Sequence, residues 1–283
     1  MTLGPADRVA AVVVTYRRPD LLLRTLERVA GQTTPVDTVL VVDNDDDEVL
    51  ERQVHAQHPD VVYLRSTSNL GPGGAFAVGL GHLVEHHDAA WYWTLDDDSP
   101  PALDALRQAL DVATSTSPQP GAVSLRGGHI VGGRIRHTLG AQSVPTPQLA
   151  DFVLVDGAVL SARAVQAAGF PRTDFFIMME DLEYTMRIRR AGFSLVVRPG
   201  DGSENLYRGS GAPWRGYYQA RNHLRMAIEL RSASLARGWV ARELAINANH
   251  MNGGRWHHIR FRLRGAVDAM AGRMGRRVEP TAG

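Results

Sequence analysis

The chain predicts an α/β fold: an open, largely parallel sheet with helices on its faces. Three observations point there. Four short β-branched or aromatic runs recur in the N-terminal part, VAAVVVT at 9–15, TVLVVD at 38–43, VVYLR at 61–65 and WYWTL at 91–95. A segment of helical character follows each of them. Hydrophobic residues make up 44% of the 283 positions, enough for one sizeable core. Strands that alternate with helices argue for parallel pairing, and doubly buried strands read as near-continuous apolar runs.

Each element has its own signal. Val9–Thr15 is the first buried strand. Pro19-Asp20 opens a helix with Leu22, Leu26 and Val29 at helical spacing and Gly31 as its stop. Thr38–Asp43 is the second strand, followed by a polar helix over 47–57. Val61–Arg65 is the third, and NLGPGGAFAVGLGHLVEHH is a Gly-rich turn entering a helix. Trp91–Leu95 is the fourth strand, and it runs into Asp96, Asp97 and Asp98. A helix over 103–114 precedes a Pro/Ser linker, and 123–155 reads as short strands and hairpins. A short helix spans 162–169, a longer one ends near Arg190, and Phe193–Val197 is a further strand. From Trp214 the pattern is helical, so the expected division is a catalytic unit over 1–213 and a helical region over 214–283.

Composition excludes several classes. There is no cysteine, hence no disulfide framework and no thiolate metal site. The net charge of +1 favours no particular partner, and all 31 basic residues are Arg without gathering on one face. The N-terminus lacks the pattern of a signal peptide, and no apolar run approaches the roughly 20 residues of a membrane span. A cytoplasmic protein, with a peripheral membrane association left open, is the expectation. The first strand-to-helix turn is TYRRPD, which is neither a dinucleotide fingerprint nor a P-loop. Phosphates of any nucleotide must then be handled elsewhere.

Asp96 and Asp98 are the first candidates. In extended backbone they project to one side, and two carboxylates there can share a hard cation such as Mg²⁺ or Mn²⁺ with substrate phosphates. The alternative is a solvated acidic turn. Glu180 and Asp181, in FFIMMEDLEYTMR, are placed either to act as a general base or simply to favour a helix N-terminus. Asp43, ending the second strand, can accept hydrogen bonds from a base or ribose, or cap the next helix. Arg221, near the start of a helix in YYQARN, is a candidate phosphate ligand or a plain surface residue.

The segments AVVVTYRRPD, VLVVDNDDD, NLGPGGAFAVGL, WYWTLDDDSPP, VDGAVLSAR and GFPRTDFFIMMEDLEYTMRIRRAGF occur in the order found in the family 2 glycosyltransferases of GT-A fold. The chain resembles that family over about residues 8–225. YYQARN looks like the corresponding segment of bacterial rhamnosyl- and galactofuranosyltransferases. The resemblance implies a GT-A fold, a Rossmann-like open mixed sheet, and inverting transfer from a UDP- or dTDP-linked sugar to a polyprenyl-linked or other glycan acceptor. It matches Thr15, Tyr16 and Arg17 to the donor-base loop and Asp43 to the acid holding the base. Asn69, Gly73 and Gly74 match the turn beside ribose and sugar, Asp96–Asp98 the motif for Mg²⁺ or Mn²⁺, and Asp181 the catalytic base, with Glu180 beside it. Many relatives carry a His after the strand equivalent to 193–197. Here RPGDGSENLYRGSG has none, so Arg198, Ser203 or Glu204 stand in, or the aspartates and water suffice.

Two segments of the C-terminal third carry further signals. Gly200–Gly211 has the composition of a lid or of an uninvolved loop. Residues 255–277 place Ile259, Leu263, Val267 and Met270 at helical spacing among seven Arg, which suits either a membrane-surface helix or one packed on the catalytic unit. No aromatic-interleaved platform accompanies the arginines, so nucleic acid is not an expected partner. The alternatives to a glycan-building transferase are a non-catalytic sugar-nucleotide or glycan-binding protein on the same scaffold, and a tailoring transferase with a small acceptor.

Overall fold

The structure is a computed structural model that describes residues 8–140, 144–200 and 211–280. The N-terminal elements are β1 (Val9–Thr15), α1 (Pro19–Ala30), β2 (Thr38–Asp43), α2 (Glu48–Gln57), β3 (Val62–Arg65), α3 (Gly71–His86), β4 (Trp91–Asp96) and α4 (Ala105–Ser115). The middle holds β5 (Ala122–Ser124), β6 (Arg126–Val131), β7 (Arg134–Gly140), β8 (Gln148–Ala150), β9 (Phe152–Val153) and β10 (Ala158–Ser161). Then come α5 (Ala162–Ala168), α6 (Glu180–Arg190), β11 (Leu195–Val197), α7 (Pro213–Glu229), α8 (Ala233–Asn252) and α9 (Trp256–Met270).

The main sheet runs β3-β2-β1-β4-β10-β5-β11-β8, and β7-β6-β9 form a second, smaller sheet. β1 is parallel to β2 and β4, whereas β10 runs antiparallel between β4 and β5. The sheet is therefore open and mixed. Burial on β1 follows the pleat. Ala10, Val12 and Val14 pack with Phe76 and Leu80 of α3, while Val9, Ala11 and Val13 pack with Leu22 and Leu26 of α1. Period-two side chains on a strand covered on both faces explain why VAAVVVT has no polar position until Thr15.

Register assembles the carboxyl edge. Thr15 lies opposite Asp43, and Val14 opposite Asp96. Pairing of Ala158 with Thr94 brings the turn before β10 against the end of β4, where the Asp96 N–H donates to Asp156 Oδ1 at 3.1 Å. Parallel strands thus deliver the first groups to one edge, and the antiparallel strand delivers Asp156.

The C-terminal helices close the molecule over that edge. α7 and α9 approach so tightly that a Cβ on Gly265 would sit 2.3 Å from the Tyr217 carbonyl oxygen. Tyr217 Oη donates to Asp268 Oδ2 at 2.8 Å, and Tyr218 Oη to the Val278 carbonyl at 2.8 Å, which ties α9 and the tail onto α7. α9 therefore buries Arg262, Gly265, Ala266, Asp268 and Ala269. Leu263, Val267 and Met270 are exposed, so of the two expectations for this apolar face, packing on the catalytic unit is not met; small residues take the close helix crossing instead. No helix among the described residues is long and apolar enough to cross a membrane.

Candidate active site

A cleft of about 670 Å³ opens at the carboxyl edge of the sheet, beneath α7 and α8. Thr15, Tyr16, Asn69, Asp96, Asp97, Asp98, Glu180 and Asp181 all line it. These residues come from four separate stretches of chain, and each is brought there by a strand end or a helix start.

The three aspartates are not equivalent. β4 ends at Asp96, and Asp97 and Asp98 lie in the following turn, so strand alternation does not extend to Asp98. Asp97 is buried; it accepts from Thr15 Oγ1 at 2.7 Å and from Arg18 Nη1 at 2.9 Å. Burial still pushes its carboxyl up to about 6, against the pull of Arg18 and Thr15. Asp98 accepts from the same Arg18 nitrogen at 2.7 Å. Asp96 is pushed well above the usual carboxylate range, by burial first and then by Asp156, Asp98, Asp181 and Asp97. Its Oδ1 is buried without a hydrogen-bond partner. That orphaned oxygen is what a cation would satisfy. Among the described residues no set of three or more Asp, Glu or His converges on a metal position. A cation here would rest on Asp96 and Asp98 plus ligands from the substrate, which fits the preference of Mg²⁺ for few carboxylates and added phosphate oxygens.

Glu180 and Asp181 open α6. Asp181 is pushed up to about 7, by burial first and then by Asp156, with the Val155 backbone N–H and Arg126 pulling the other way. Glu180 is raised by burial and by Asp181, and its Oε2 is buried without a hydrogen bond. The preceding loop is strained: Phe176, Met178 and Met179 have φ of 65, 69 and 69°, a region L-residues rarely adopt. Asn222 on α7 holds it. Its Nδ2 lies 3.0, 3.0 and 2.7 Å from the carbonyl oxygens of Phe175, Ile177 and Met178. Arg221 Nε donates to Asn222 Oδ1 at 2.8 Å, which orients the amide, and Arg221 Nη2 reaches the Phe175 carbonyl at 2.9 Å. Gly71 completes the support, since at its φ of +70° a Cβ would fall 2.0 Å from the Phe176 carbonyl oxygen.

Several expected groups lie elsewhere. Arg221 is fully buried and bonded to carbonyls, so it does not reach a phosphate in the cleft. Asp43 is fully buried; it accepts from the backbone of Asp45 and Asp47 and from Tyr63 Oη, as a turn-forming carboxylate does. Arg17 points outward to Asp45 at 2.8 Å. Gly73 and Gly74 sit inside α3, where a Cβ would meet the Arg172 carbonyl at 2.9 Å and Leu70 Cβ at 2.7 Å, so they serve packing. Arg198 is buried and donates to Gln108 Oε1 at 2.6 Å, away from the cleft. Ser203, Glu204 and the interior of the Gly200–Gly211 segment lie outside the described residues.

Other lining residues had no sequence expectation. Arg18, not its neighbour Arg17, supplies the counter-cation to Asp97 and Asp98. Asp156 joins the carboxylate cluster and pairs with Arg126 at 3.1 Å. Asn44 accepts from the Leu70 N–H at 3.2 Å and lines the cleft. His137, Arg215, Gln219 and Arg242 form its far wall. A doubled Arg in YRRPD and an acid in VDGAVL were visible, but only tertiary register assigns them to the cleft.

The profile of the family "Glycosyltransferase like family 2" matches residues 5–210. The chain belongs to that family. It is 34% identical over 203 residues to the galactofuranosyltransferase GlfT1 of Mycolicibacterium smegmatis, covering 65% of this chain and 66% of that protein. The chain thus spans just under two thirds of the curated relative it matches. Its fold is that of GT-A glycosyltransferases. The mannosyltransferase PcManGT from Pyrobaculum calidifontis, solved with GDP-Man and Mn²⁺, aligns with a TM-score of 0.61 at 18% identity over 94% of this chain and 88% of that one. S. aureus TarS 1–349 with UDP aligns at 0.58 and 15% identity, over 82% and 70%.

Proposed function

We propose that the family member described here is an inverting glycosyltransferase that moves a sugar from a nucleotide-diphosphate donor to an acceptor hydroxyl. The observation that carries this reading is Asp181, a half-buried carboxylate lining the cleft at the start of α6 and pushed up to about 7. A base with that affinity accepts a proton near neutrality and can pass it on. Asp181 takes the acceptor O–H proton as that oxygen attacks the anomeric carbon. The bond from that carbon to the diphosphate oxygen breaks, and its electron pair leaves with the nucleoside diphosphate. Attack opposite the leaving group inverts the anomeric centre.

The other residues position and stabilise. Thr15, Tyr16, Asn44 and Asn69 line the part of the cleft suited to the base and ribose. Asp96 and Asp98 would hold Mg²⁺ or Mn²⁺, which supplies charge stabilisation to the departing diphosphate. Arg18 fixes Asp97 and Asp98 in place. Trp214 lines the cleft from a buried position packed against Tyr218. The similarity to GlfT1 supports a galactofuranosyl donor, and rhamnosyl is the second choice; the UDP of TarS and the GDP-Man and Mn²⁺ of PcManGT support a nucleotide donor with a divalent cation.

The acceptor in this reading is a polyprenyl-linked glycan met at a membrane surface. α9 presents Trp256, Leu263, Val267 and Met270 to solvent, with Arg260 and Arg264 exposed beside them. Apolar side chains ringed by arginine suit the interface of an anionic bilayer.

The test is transfer or donor hydrolysis with UDP- and dTDP-linked sugars, with and without Mn²⁺ or Mg²⁺. Asp98→Ala and Asp181→Ala should each abolish it. Full activity in both variants would sink the assignment.

A further inference from the structure

The loop that delivers Glu180 and Asp181 is held from a third side, by the chain after α9. That helix ends in a glycine turn. The Arg273 N–H donates to the Asp268 carbonyl at 2.8 Å and the Gly272 N–H to that of Ala269 at 3.2 Å, with Gly272 at a φ of 68°. This Schellman arrangement turns the chain back. Gly275 then meets Arg221 and Val278 meets Tyr218, so the segment runs antiparallel along α7. Tyr218 fastens it. A phenol hydroxyl has one hydrogen and two lone pairs. Tyr218 Oη donates to the Val278 carbonyl at 2.8 Å and accepts from the N–H groups of Arg277 and Val278, both at 3.2 Å, so all three go to the segment. Gly275 joins it to the loop. Its N–H donates to the Asp174 carbonyl at 2.7 Å, and its carbonyl accepts at 2.6 Å from Arg221 Nη1, on the side chain that also reaches the Phe175 carbonyl. Val278 is buried in one apolar cluster with Phe176, Trp214 and Tyr218, and the Arg276 guanidinium lies 5.6 Å from the centre of the Phe176 ring. Pro280 lines the cleft.

We propose that residues 273–280 form a strap that positions Asp181, acting through Phe176. Phe176 is one of three left-handed residues in the loop, and such a conformation persists only where its surroundings over-determine it. Asn222 holds the carbonyls of that loop, and the strap holds the Phe176 ring. Tyr218 and Val278 do not line the cleft themselves, so they are positioning residues. The groups read as facing base and ribose, Thr15, Asn44 and Asn69, come from the ends of β1 and β2 and the turn before α3. Donor binding is therefore independent of the strap, whereas the chemical step depends on it. The family profile ends at residue 210, so the strap belongs to the part of the chain beyond it. This inference rests on the transferase reading and adds a positioning element to it.

The test uses the whole chain and two variants. Tyr218→Phe removes the hydroxyl and keeps the ring, and Val278→Ser removes the apolar anchor. Val278→Ile is the conservative control. Hydrogen exchange of the backbone amides in 174–181 and 273–280 reads the strap and the loop. Single-turnover consumption of a UDP- or dTDP-linked sugar reads the chemistry, and titration with the matching nucleoside diphosphate and Mn²⁺ reads donor binding. In Tyr218→Phe and Val278→Ser both segments should exchange faster. The rate should fall by about tenfold to a hundredfold at unchanged nucleotide affinity, as expected for a displaced catalytic group. Val278→Ile should keep the parent values. Faster exchange confined to 273–280, with 174–181 unmoved, overturns the proposal. An unchanged rate in both variants overturns it too. A loss of nucleotide affinity in step with the rate would mark a general loosening of the fold and also overturn it. If Tyr218→Phe does not fold, Val278→Ser decides alone. A parent chain that consumes neither sugar donor removes the transferase reading, while the exchange comparison still reads the hold of the strap on the loop.

Discussion

Asn222 lies outside the cleft, yet its Nδ2 is within 3.0 Å of three carbonyl oxygens in the loop that delivers Glu180 and Asp181. An amide has two hydrogens, so one of them is shared. Asn222→Ala would orphan those carbonyls in a segment with three left-handed residues. At roughly 1 kcal/mol per neutral hydrogen bond the loss is about 2–3 kcal/mol, or a fall in Tm of about 4–12 °C at this size. Differential scanning calorimetry measures it, and kcat should fall further than stability accounts for, because Asp181 loses its position. The motif YYQARN was visible in the sequence. Its job was not, since Arg221 looks like a surface phosphate ligand until the helix is seen to turn it against main-chain carbonyls.

At the scale of elements, the strands were legible because β1, β2 and β4 are largely buried, and burial on both faces leaves an unbroken apolar run. The turn after β4 was less legible. Asp98 looked like a continuation of the strand, whereas the chain turns after Asp96, and a turn obeys no alternation. The same limit applies to α9. By periodicity Leu263, Val267 and Met270 form one apolar face suited either to packing or to a membrane surface, but Gly265, Ala266 and Ala269 take the crossing with α7, because only small side chains allow that approach. Gly265→Leu should therefore separate the two helices and lower Tm by several degrees, while Leu263→Ser should leave it nearly unchanged. The exposed stripe should also govern membrane binding. The protein should float with vesicles containing anionic lipid and not with neutral ones, and a Trp256→Ser, Leu263→Ser, Val267→Ser variant should remain in solution at unaltered Tm. Flotation of that variant to the same extent as the parent would remove the membrane role of α9.

Across the whole molecule, the cleft concentrates carboxylates that folding holds away from water. Asp181 moves from its ordinary 3.8 to about 7, and Asp97 from 3.8 to about 6. Between those values the folded state keeps protons that the unfolded chain has released. Stability from these groups therefore falls as pH rises from about 4 to about 7. Asp181→Asn removes part of that dependence and should be more stable than the parent at pH 8, as judged by urea denaturation, even as it loses activity. Binding of a nucleoside diphosphate with Mn²⁺ or Mg²⁺ should raise Tm, because a ligand that binds only the native state shifts the equilibrium toward it. A site destabilised by its own charges and stabilised by substrate is the signature of a cleft built for binding and chemistry, and it is the level at which sequence alone is mute. Like charges in WYWTLDDDSPP signal a cost, but the size of that cost depends on Asp156 and Asp181, which arrive from far along the chain.

The most direct measurement is the pH dependence of single-turnover transfer at saturating donor, for the parent and for Asp181→Asn. The parent rate should rise tenfold per pH unit below about 7 and level off above it, as the base form of Asp181 fills. The variant should bind donor with unchanged affinity and show a rate lower by about 10²-fold or more, with no rise near neutrality. A variant that retains both the parent rate and its pH profile would contradict the assignment of Asp181 as the base.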